Sequence, residues 1–236
     1  MSDIPLQLHH IQQRIARACA QADRSADQVQ LLAVSKTFGT DAIAQAIAAG
    51  QLAFGENYVT EAVTKIQHFM SHAPSLQWHM IGPLQSNKTR AVAQHFQWVH
   101  SVDRMKIARR LSEQRPDSLD DLQVCLEVNV SAEQSKSGVM PEEVAAMAAE
   151  IVRLPKLKLR GLMCIPEPST DPVAQRQPFA LLRELLHDLQ RAGHAVDTLS
   201  MGMSDDLEAA IQEGATIVRV GRAIFGQRDY GQKVKI

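Results

Sequence analysis

Short apolar runs alternate with amphipathic segments along almost the whole chain. The runs are Leu31 to Lys36, Leu52 to Gly55, Gln77 to Ile81, Trp98 to Val102, Gln123 to Val130, Leu157 to Ile165, Thr198 to Met201 and Ile217 to Gly221. Their lengths, their branched aliphatic residues and the turn residues that bound them predict buried β-strands. Between them, Asp41 to Gly50, Asn57 to Met70, Asn87 to Phe96, Arg104 to Gln114, Pro141 to Leu154, Pro178 to Ala192 and Asp205 to Gly214 follow a helical period. Asp41 at the start and Gly50 at the end of the first of these match the usual asymmetry of helix caps. A further helix is expected over Leu6 to Ala20, ahead of the first strand. Eight strands, each but the last followed by a helix, predict a single (β/α)8 TIM barrel spanning residues 1–236, with an extra N-terminal helix. The last helix of the barrel is expected to be missing or replaced by the N-terminal one. A doubly wound open sheet shows the same alternation. The count of eight, with no tail made only of strands, favours the barrel.

Composition narrows the class further. The chain has 236 residues, 45% hydrophobic and 22% charged, as in a soluble globular protein with a sizeable core. A formal charge of −1 gives no reason to expect nucleic acid or an anionic membrane as partner. Cys19, Cys125 and Cys164 form no C-x-x-C pair and no disulfide framework. The start, Met1-Ser2-Asp3-Ile4-Pro5, lacks a secretory signal, and no window reaches the roughly 18 apolar residues of a membrane span. A reduced, cytoplasmic protein is expected. Asp117 to Asp121 and Pro166 to Pro172 are short enough to be connections inside one domain.

In barrels, chemistry sits at the carboxyl ends of the strands. Lys36 closes the first strand against apolar walls; lost hydration there lowers an amine pKa and suits it to Schiff-base formation with an aldehyde. By itself this position reads more readily as a lysine reaching from a strand end to solvent. The second strand ends in Phe54-Gly55-Glu56-Asn57-Tyr58, where Asn57 offers a donor and an acceptor, or caps the next helix. His79 on the third strand is a hydrogen-bonding or ring-stacking group, or a core histidine. Met163 on the sixth reads as barrel filling.

The seventh strand runs into Ser200-Met201-Gly202-Met203-Ser204-Asp205-Asp206, whose amides and hydroxyls at a helix start suit an anion. The other reading is a capping run with Ser204 as N-cap. The acidic residues place a phosphate beside Ser200 and Gly202 rather than on the helix axis. In the eighth strand, Arg219 faces away from Val218 and Val220, and a buried arginine is expensive unless it meets an acceptor. Gly221 frees an amide for close approach to an anion, and barrel phosphate sites commonly form after strands seven and eight. The outline is a ligand with a phosphate at one end and an aldehyde at the other, which pyridoxal phosphate fits.

Several motifs carry a resemblance. Ala33-Val34-Ser35-Lys36-Thr37, Phe54-Gly55-Glu56-Asn57-Tyr58 and Trp78 to Lys88 do so in the first half of the chain. Ser135-Lys136-Ser137-Gly138, Leu199 to Asp206 and Arg219 to Gly226 follow. From about Leu31 to Gly226 the chain resembles the YggS/PROSC family of pyridoxal phosphate homeostasis proteins. That resemblance implies the barrel of the alanine racemase N-terminal domain, the fold type III pyridoxal-phosphate-binding class. It also implies that Lys36 holds the cofactor as a Schiff base and that Arg219 meets the pyridine nitrogen. Ser200, Gly221 and Arg222 match the phosphate cradle, the last two through backbone N–H. Asn57 matches a residue on the side of the ring hydroxyl, and His79 and Met203 are assigned more loosely.

The function expected is storage, buffering or delivery of pyridoxal 5'-phosphate, without catalysis. The alternative is an amino-acid racemase or related enzyme. Racemisation needs an acid/base on each face of the substrate carbon, and Lys36 supplies one. In alanine racemase the other is a tyrosine that involves a second, β-rich domain; the chain's end soon after Phe225 predicts that this domain is absent. The two tyrosines here, Tyr58 and Tyr230, sit in no setting that suggests a catalytic phenol. An arginine on the ring nitrogen also weakens the electron sink. Pyridoxal-phosphate-dependent apoenzymes are the expected partners, and loss of one racemase interface points to a monomer. His68 and His72, four apart, lack a third ligand and are expected on the surface rather than on a metal.

Overall fold

The computed structural model describes residues 3–73, 75–131 and 137–226; Ser135 and Lys136 of the Ser-Lys-Ser-Gly motif, and Tyr230, lie outside them. Eight parallel strands close a barrel in sequence order: β1 (Gln30–Val34), β2 (Ala53–Glu56), β3 (Gln77–Met80), β4 (Trp98–Val102), β5 (Leu122–Glu127), β6 (Leu157–Met163), β7 (Thr198–Ser200) and β8 (Ile217–Val220). The seam pairs β8 with β1, placing Leu32 opposite Arg219. The (β/α)8 expectation is met, and the open-sheet alternative falls with that closure.

Around the barrel run α1 (Ile4–Gln21), α2 (Thr40–Ala48), α3 (Val59–Phe69), α4 (Thr89–His95), α5 (Met105–Gln114), α6 (Val144–Ile151), α7 (Pro172–Arg191), α8 (Leu207–Gln212) and α9 (Arg222–Phe225). The period-two pattern assigns the faces. Leu32, Val34, Ala53, Ile81 and Ile217 pack together inside the barrel, as do Trp98, Cys125 and Met163. Leu31, Ala33, Phe54, Val218 and Val220 join the larger core between barrel and helices. At the amino-terminal end, Arg160 lies over Trp98 at 4.9 Å and bonds Gln123 Oε1 at 3.0 Å and Asp197, closing that side with polar groups.

Several boundaries differ from the sequence expectation. The helix after β8 is present as the single turn α9, and α1 packs against α8, α9 and α2, covering the place a full eighth helix would take. α7 starts at Pro172 rather than Pro178: Asp171 accepts from Val173 N–H as N-cap, and Pro172 occupies the first turn, where its missing donor costs nothing. Pro178 therefore lies inside the helix. β5 stops at Glu127 rather than Val130, because the chain then turns to bridge Val128 to Val139. None of the described helices is long and apolar enough to cross a membrane.

Candidate functional site

A cavity of about 630 Å³ opens at the carboxyl ends of the strands. It is lined by Lys36, Asn57, Met203, Arg219, Gly221 and Arg222, all from strand ends, with Val34, Ile81, Phe38 and Ile165 as apolar walls. A second cavity, of about 460 Å³, lies at the opposite end between the helical layer and β1–β2, lined by Gln12, Asp27, Gln30 and Gln51 among others. It gathers no comparable set of cations and amides.

Lys36 stands two residues beyond β1, not within it, and shares the inward phase of Leu32 and Val34. The turn that carries it, Ser35 to Phe38, is pinned by a Phe38 N–H bond to Ser35 O at 3.1 Å and by Phe38 stacking on Phe225 of α9 at 5.1 Å. Asn57 follows β2. It is not a helix cap: Tyr58 holds that position, with no side-chain bond to α3. Asn57 Oδ1 is buried beside the cavity with no hydrogen-bond partner, and a buried acceptor left in that state costs free energy unless a ligand or water meets it.

After β7, the chain needs Gly202, at φ +91° and with Ala210 Cβ 2.6 Å from where a β-carbon would stand. The residues that follow, Met203, Ser204 and Asp205, line the cavity. Ser204 is not the N-cap of α8; Asp206 is, and its carboxylate accepts from Met203 N–H, folding back on the loop instead of onto the helix. Gly221 comes after β8. A β-carbon there would sit 3.1 Å from Val34 O and 3.2 Å from Val34 Cβ, so glycine lets this backbone lie against the mouth of β1 without displacing Val34. The amides of Arg222 and Ala223 precede any internal helix acceptor and can face an anion, whereas those of Ile224 and Phe225 already donate to Gly221 O.

Arg219 is 5% exposed and reaches the cavity from within the barrel wall. Its Nη1 donates to Ser200 O at 2.5 Å and Ser200 Oγ at 2.8 Å, and its Nη2 to Cys164 O at 2.8 Å. Burial lowers its pKa from the ordinary guanidinium value. The group remains a cation, since arginine does not deprotonate in proteins.

Ser200 and His79 are not among the lining residues. Both are fully buried inside the barrel. Ser200 Oγ lies 2.7 Å from His100 Nδ1, and His100 Nε2 lies 2.9 Å from His79 Nδ1. His79 in turn stacks on Trp98, ring centres 5.3 Å apart. Burial pushes the His79 imidazole down to about 3. It pushes His100 well below its ordinary value too, with help from His79 and Arg219. Both rings are therefore neutral at pH 7, with one donor each.

Arg219 can only donate, so Ser200 Oγ accepts from it and gives its own proton to His100 Nδ1. His100 then donates from Nε2 to His79 Nδ1, and His79 carries its proton on Nε2, which has no partner. The reverse order would strand two groups, the Ser200 hydroxyl proton and a histidine lone pair. The chain of bonds thus has one direction, from Arg219 to His79.

The sequence pointed to Lys36, Asn57, Met203, Arg219, Gly221 and Arg222, which converge here. It did not single out His100, although His100 sits between Val99 and Ser101 in β4 with the inward phase of Trp98. Burial, and next Asp103, push the Glu127 carboxyl at the end of β5 up to about 7, while Arg219 opposes the shift. The Cys125 and Cys164 thiols are pushed up to about 12 by burial, which makes them poor nucleophiles at neutral pH. His68 and His72 are exposed, and no group of three or more metal-ligating side chains occurs among the described residues.

The family model described as alanine racemase, N-terminal domain, matches residues 6–229. A pyridoxal phosphate homeostasis protein of Pseudomonas aeruginosa is 58% identical over 98% of both chains. One of Escherichia coli is 49% identical over 99% of this chain and 100% of that one. Among solved structures, PipY of Synechococcus elongatus with pyridoxal phosphate bound is 36% identical, has a TM-score of 0.78, and covers 90% of this chain and 100% of its own. Alanine racemase of Corynebacterium glutamicum, 16% identical with a TM-score of 0.68, shares the fold over 96% of this chain and 64% of its own. With 49% and 58% of its residues identical to such relatives across nearly its full length, the chain belongs to the family of pyridoxal phosphate homeostasis proteins, built on the alanine racemase N-terminal barrel.

Proposed function

We infer that this chain binds pyridoxal 5'-phosphate in the 630 Å³ cavity and serves in its homeostasis, storing, buffering or delivering it. The observation that carries this is the convergence of a lysine, a buried arginine and a glycine-borne amide cradle on one cavity, in a chain whose relatives bear that name. Lys36 Nζ would hold the cofactor at its aldehyde end. Gly221 and Arg222 hold the phosphate through their amides, with the Gly202–Ser204 loop alongside. Arg219 would present its cation to the ring nitrogen, and Asn57, whose buried Oδ1 is unpartnered, would serve the hydroxyl side of the ring. Met203 packs against the bound molecule. Ser200, already bonded to Arg219 and His100, acts on the ring end through Arg219, and His79 acts one bond further back.

Pyridoxal phosphate supplies an electrophilic aldehyde and a ring that can stabilise carbanions when its nitrogen is protonated. The Arg219 guanidinium, which can only donate, would disfavour a proton on that nitrogen and so weaken the ring as an electron sink. Tyr58 is 51% exposed and does not line the cavity, which leaves it poorly placed as a second acid/base. We place the protein in the reducing cytoplasm as a monomer, on its three buried free thiols and its family, with pyridoxal-phosphate-dependent apoenzymes as recipients. The racemase reading has one observation in its favour, the Glu127 carboxyl that titrates near neutrality at the end of β5.

The test is a panel of amino acids assayed for racemisation, transamination and decarboxylation with the loaded protein, alongside transfer of cofactor to an apoenzyme. Transfer without turnover is expected. Turnover of any amino acid would overturn the carrier reading.

A further inference from the structure

Three motif residues take no part in the cavity: Ser35 and Thr37, which flank Lys36, and Glu56, which precedes Asn57. They meet on the outer side of the barrel wall, beneath α3. Glu56 is fully buried at the end of β2, and Lys65 of α3 is 4% exposed. Lys65 Nζ donates to Glu56 Oε1 at 2.7 Å, to Glu61 Oε1 at 2.5 Å and to Ser35 O at 2.8 Å. Ser35 Oγ donates to Glu56 Oε1 at 2.6 Å. Thr37 N–H donates to Glu61 Oε1 at 2.6 Å. The residues immediately before and after Lys36 are thus both tied to one ionic cluster, and Lys36 is the link between the two ties.

Three features show that the arrangement is costly. Glu56 Oε2 is buried with no partner. Burial raises the Glu56 pKa, against the lowering effect of Lys65 and Ser35. Thr37 also adopts φ +69°, a left-handed conformation that a β-branched residue avoids unless its surroundings impose it. Buried ion clusters add little net stability over apolar replacements, so stability alone does not account for this one. The strained residue is the neighbour of Lys36, and the group that holds its amide is Glu61.

We propose that Glu56, Glu61 and Lys65 are positioning residues that hold the Ser35–Thr37 turn in the conformation that directs Lys36 Nζ into the cavity. The inference rests on the reading of Lys36 as the residue that captures pyridoxal phosphate. Lys65 itself is kept out of that reaction by its place: it lies outside the barrel wall, clasped by two carboxylates and a carbonyl. The cluster therefore also selects which of two nearby lysines meets the aldehyde.

The test uses the full-length chain stripped of cofactor, as wild type, Glu61→Ala, and Glu61→Ala with Thr37→Gly. Glu61 is the half-buried member of the cluster, so its loss leaves the core intact, and glycine adopts φ +69° without needing a partner. Lys36 is followed by peptide mapping, through its acetic anhydride labelling as a function of pH and its rate of capture of pyridoxal phosphate, each time point trapped with borohydride. Glu61→Ala should slow capture about tenfold, the factor that corresponds to one such backbone strain, and shift the Lys36 labelling profile. Thr37→Gly should restore most of both. Glu56→Gln, which keeps the shape of the cluster but removes a charge, should slow capture less than Glu61→Ala. Glu61→Ala indistinguishable from wild type would overturn the proposal, as would a slowing that Thr37→Gly fails to relieve. Failure of wild type itself to take up pyridoxal phosphate at Lys36 would overturn the underlying functional reading instead, while the labelling profile of the cofactor-free chain still reports on the turn.

Discussion

The chain of bonds inside the barrel and the cluster outside it serve the same cavity by opposite means. Inside, His79, His100 and Ser200 are neutral, fully buried and ordered by the single donor-only group, Arg219. Outside, two carboxylates and an ammonium gather within hydrogen-bond reach around the turn that carries Lys36. The first holds a cation still by supplying acceptors, and proton positions follow from it without further charge. The second holds a backbone turn by charge, at the expense of desolvating Glu56 and Lys65. A ligand with an electrophilic end and a ring-nitrogen end needs both: a fixed amine at one and a fixed donor at the other.

The sharpest way to break this contrast is Lys65→Met. Removing the cation leaves Glu56 buried and uncompensated, which should destabilise the fold by about 3–5 kcal/mol in urea unfolding. Glu56→Met combined with Lys65→Met should lose less than Lys65→Met alone, because no orphaned charge remains. If the double variant is the weaker of the two, the cluster owes its retention to stability rather than to the turn.

His100→Phe is the corresponding change inside the barrel. It puts another ring in the same place but leaves the Ser200 hydroxyl proton and His79 Nδ1 without partners, and the expected loss is about 1–3 kcal/mol. Weaker cofactor binding should accompany it, through the loosened Arg219. Ser200→Ala should share the second effect, since it removes one acceptor of the guanidinium. Binding unchanged in both would separate this chain from the site.

The two regions also part on pH. His79 is held near 3 in the folded protein against an ordinary value of 6.5, so between these values the unfolded chain binds the proton and the folded one does not. Stability from this group is complete above pH 6.5 and is lost as pH falls through that window, at about 1.4 kcal/mol per pH unit. His100 adds in the same direction. Denaturation measured from pH 7 to 5 should show the slope, and His100→Phe should reduce it. The smallest effect belongs to neither region: Arg109→Ala breaks an exposed pair with Glu150 and should cost less than about 1 kcal/mol.

How far the sequence foretold this molecule depends on the range of the interaction involved. Strands and the inward phase of Arg219 were legible because period-two patterning is local, and Val218 and Val220 do join the outer core. Lys36, Gly221 and Arg222 could be placed at the mouth because barrel topology sends every strand end there. The start of α7 was misplaced because two prolines, Pro172 and Pro178, each suit a first turn, and only the cap from Asp171 decides between them. Asn57 looked equally like a cap or a ligand-facing amide, and the choice came from the buried, unpartnered Oδ1. His100 and Ser200 are a hundred residues apart, so their bond left no trace in the local pattern. Glu56 and Lys65 share a face only because α3 lies back along β2. Ser200 is bonded to Arg219 and His100 and does not itself line the cavity, a placement that no local motif encodes.

The most direct measurement is borohydride reduction of the loaded protein followed by peptide mapping. A pyridoxyl group on the peptide containing Lys36 is the expected result. A label confined to another lysine, or no label at all on a protein that retains the cofactor, would contradict the assignment of Lys36 and of the site built around it.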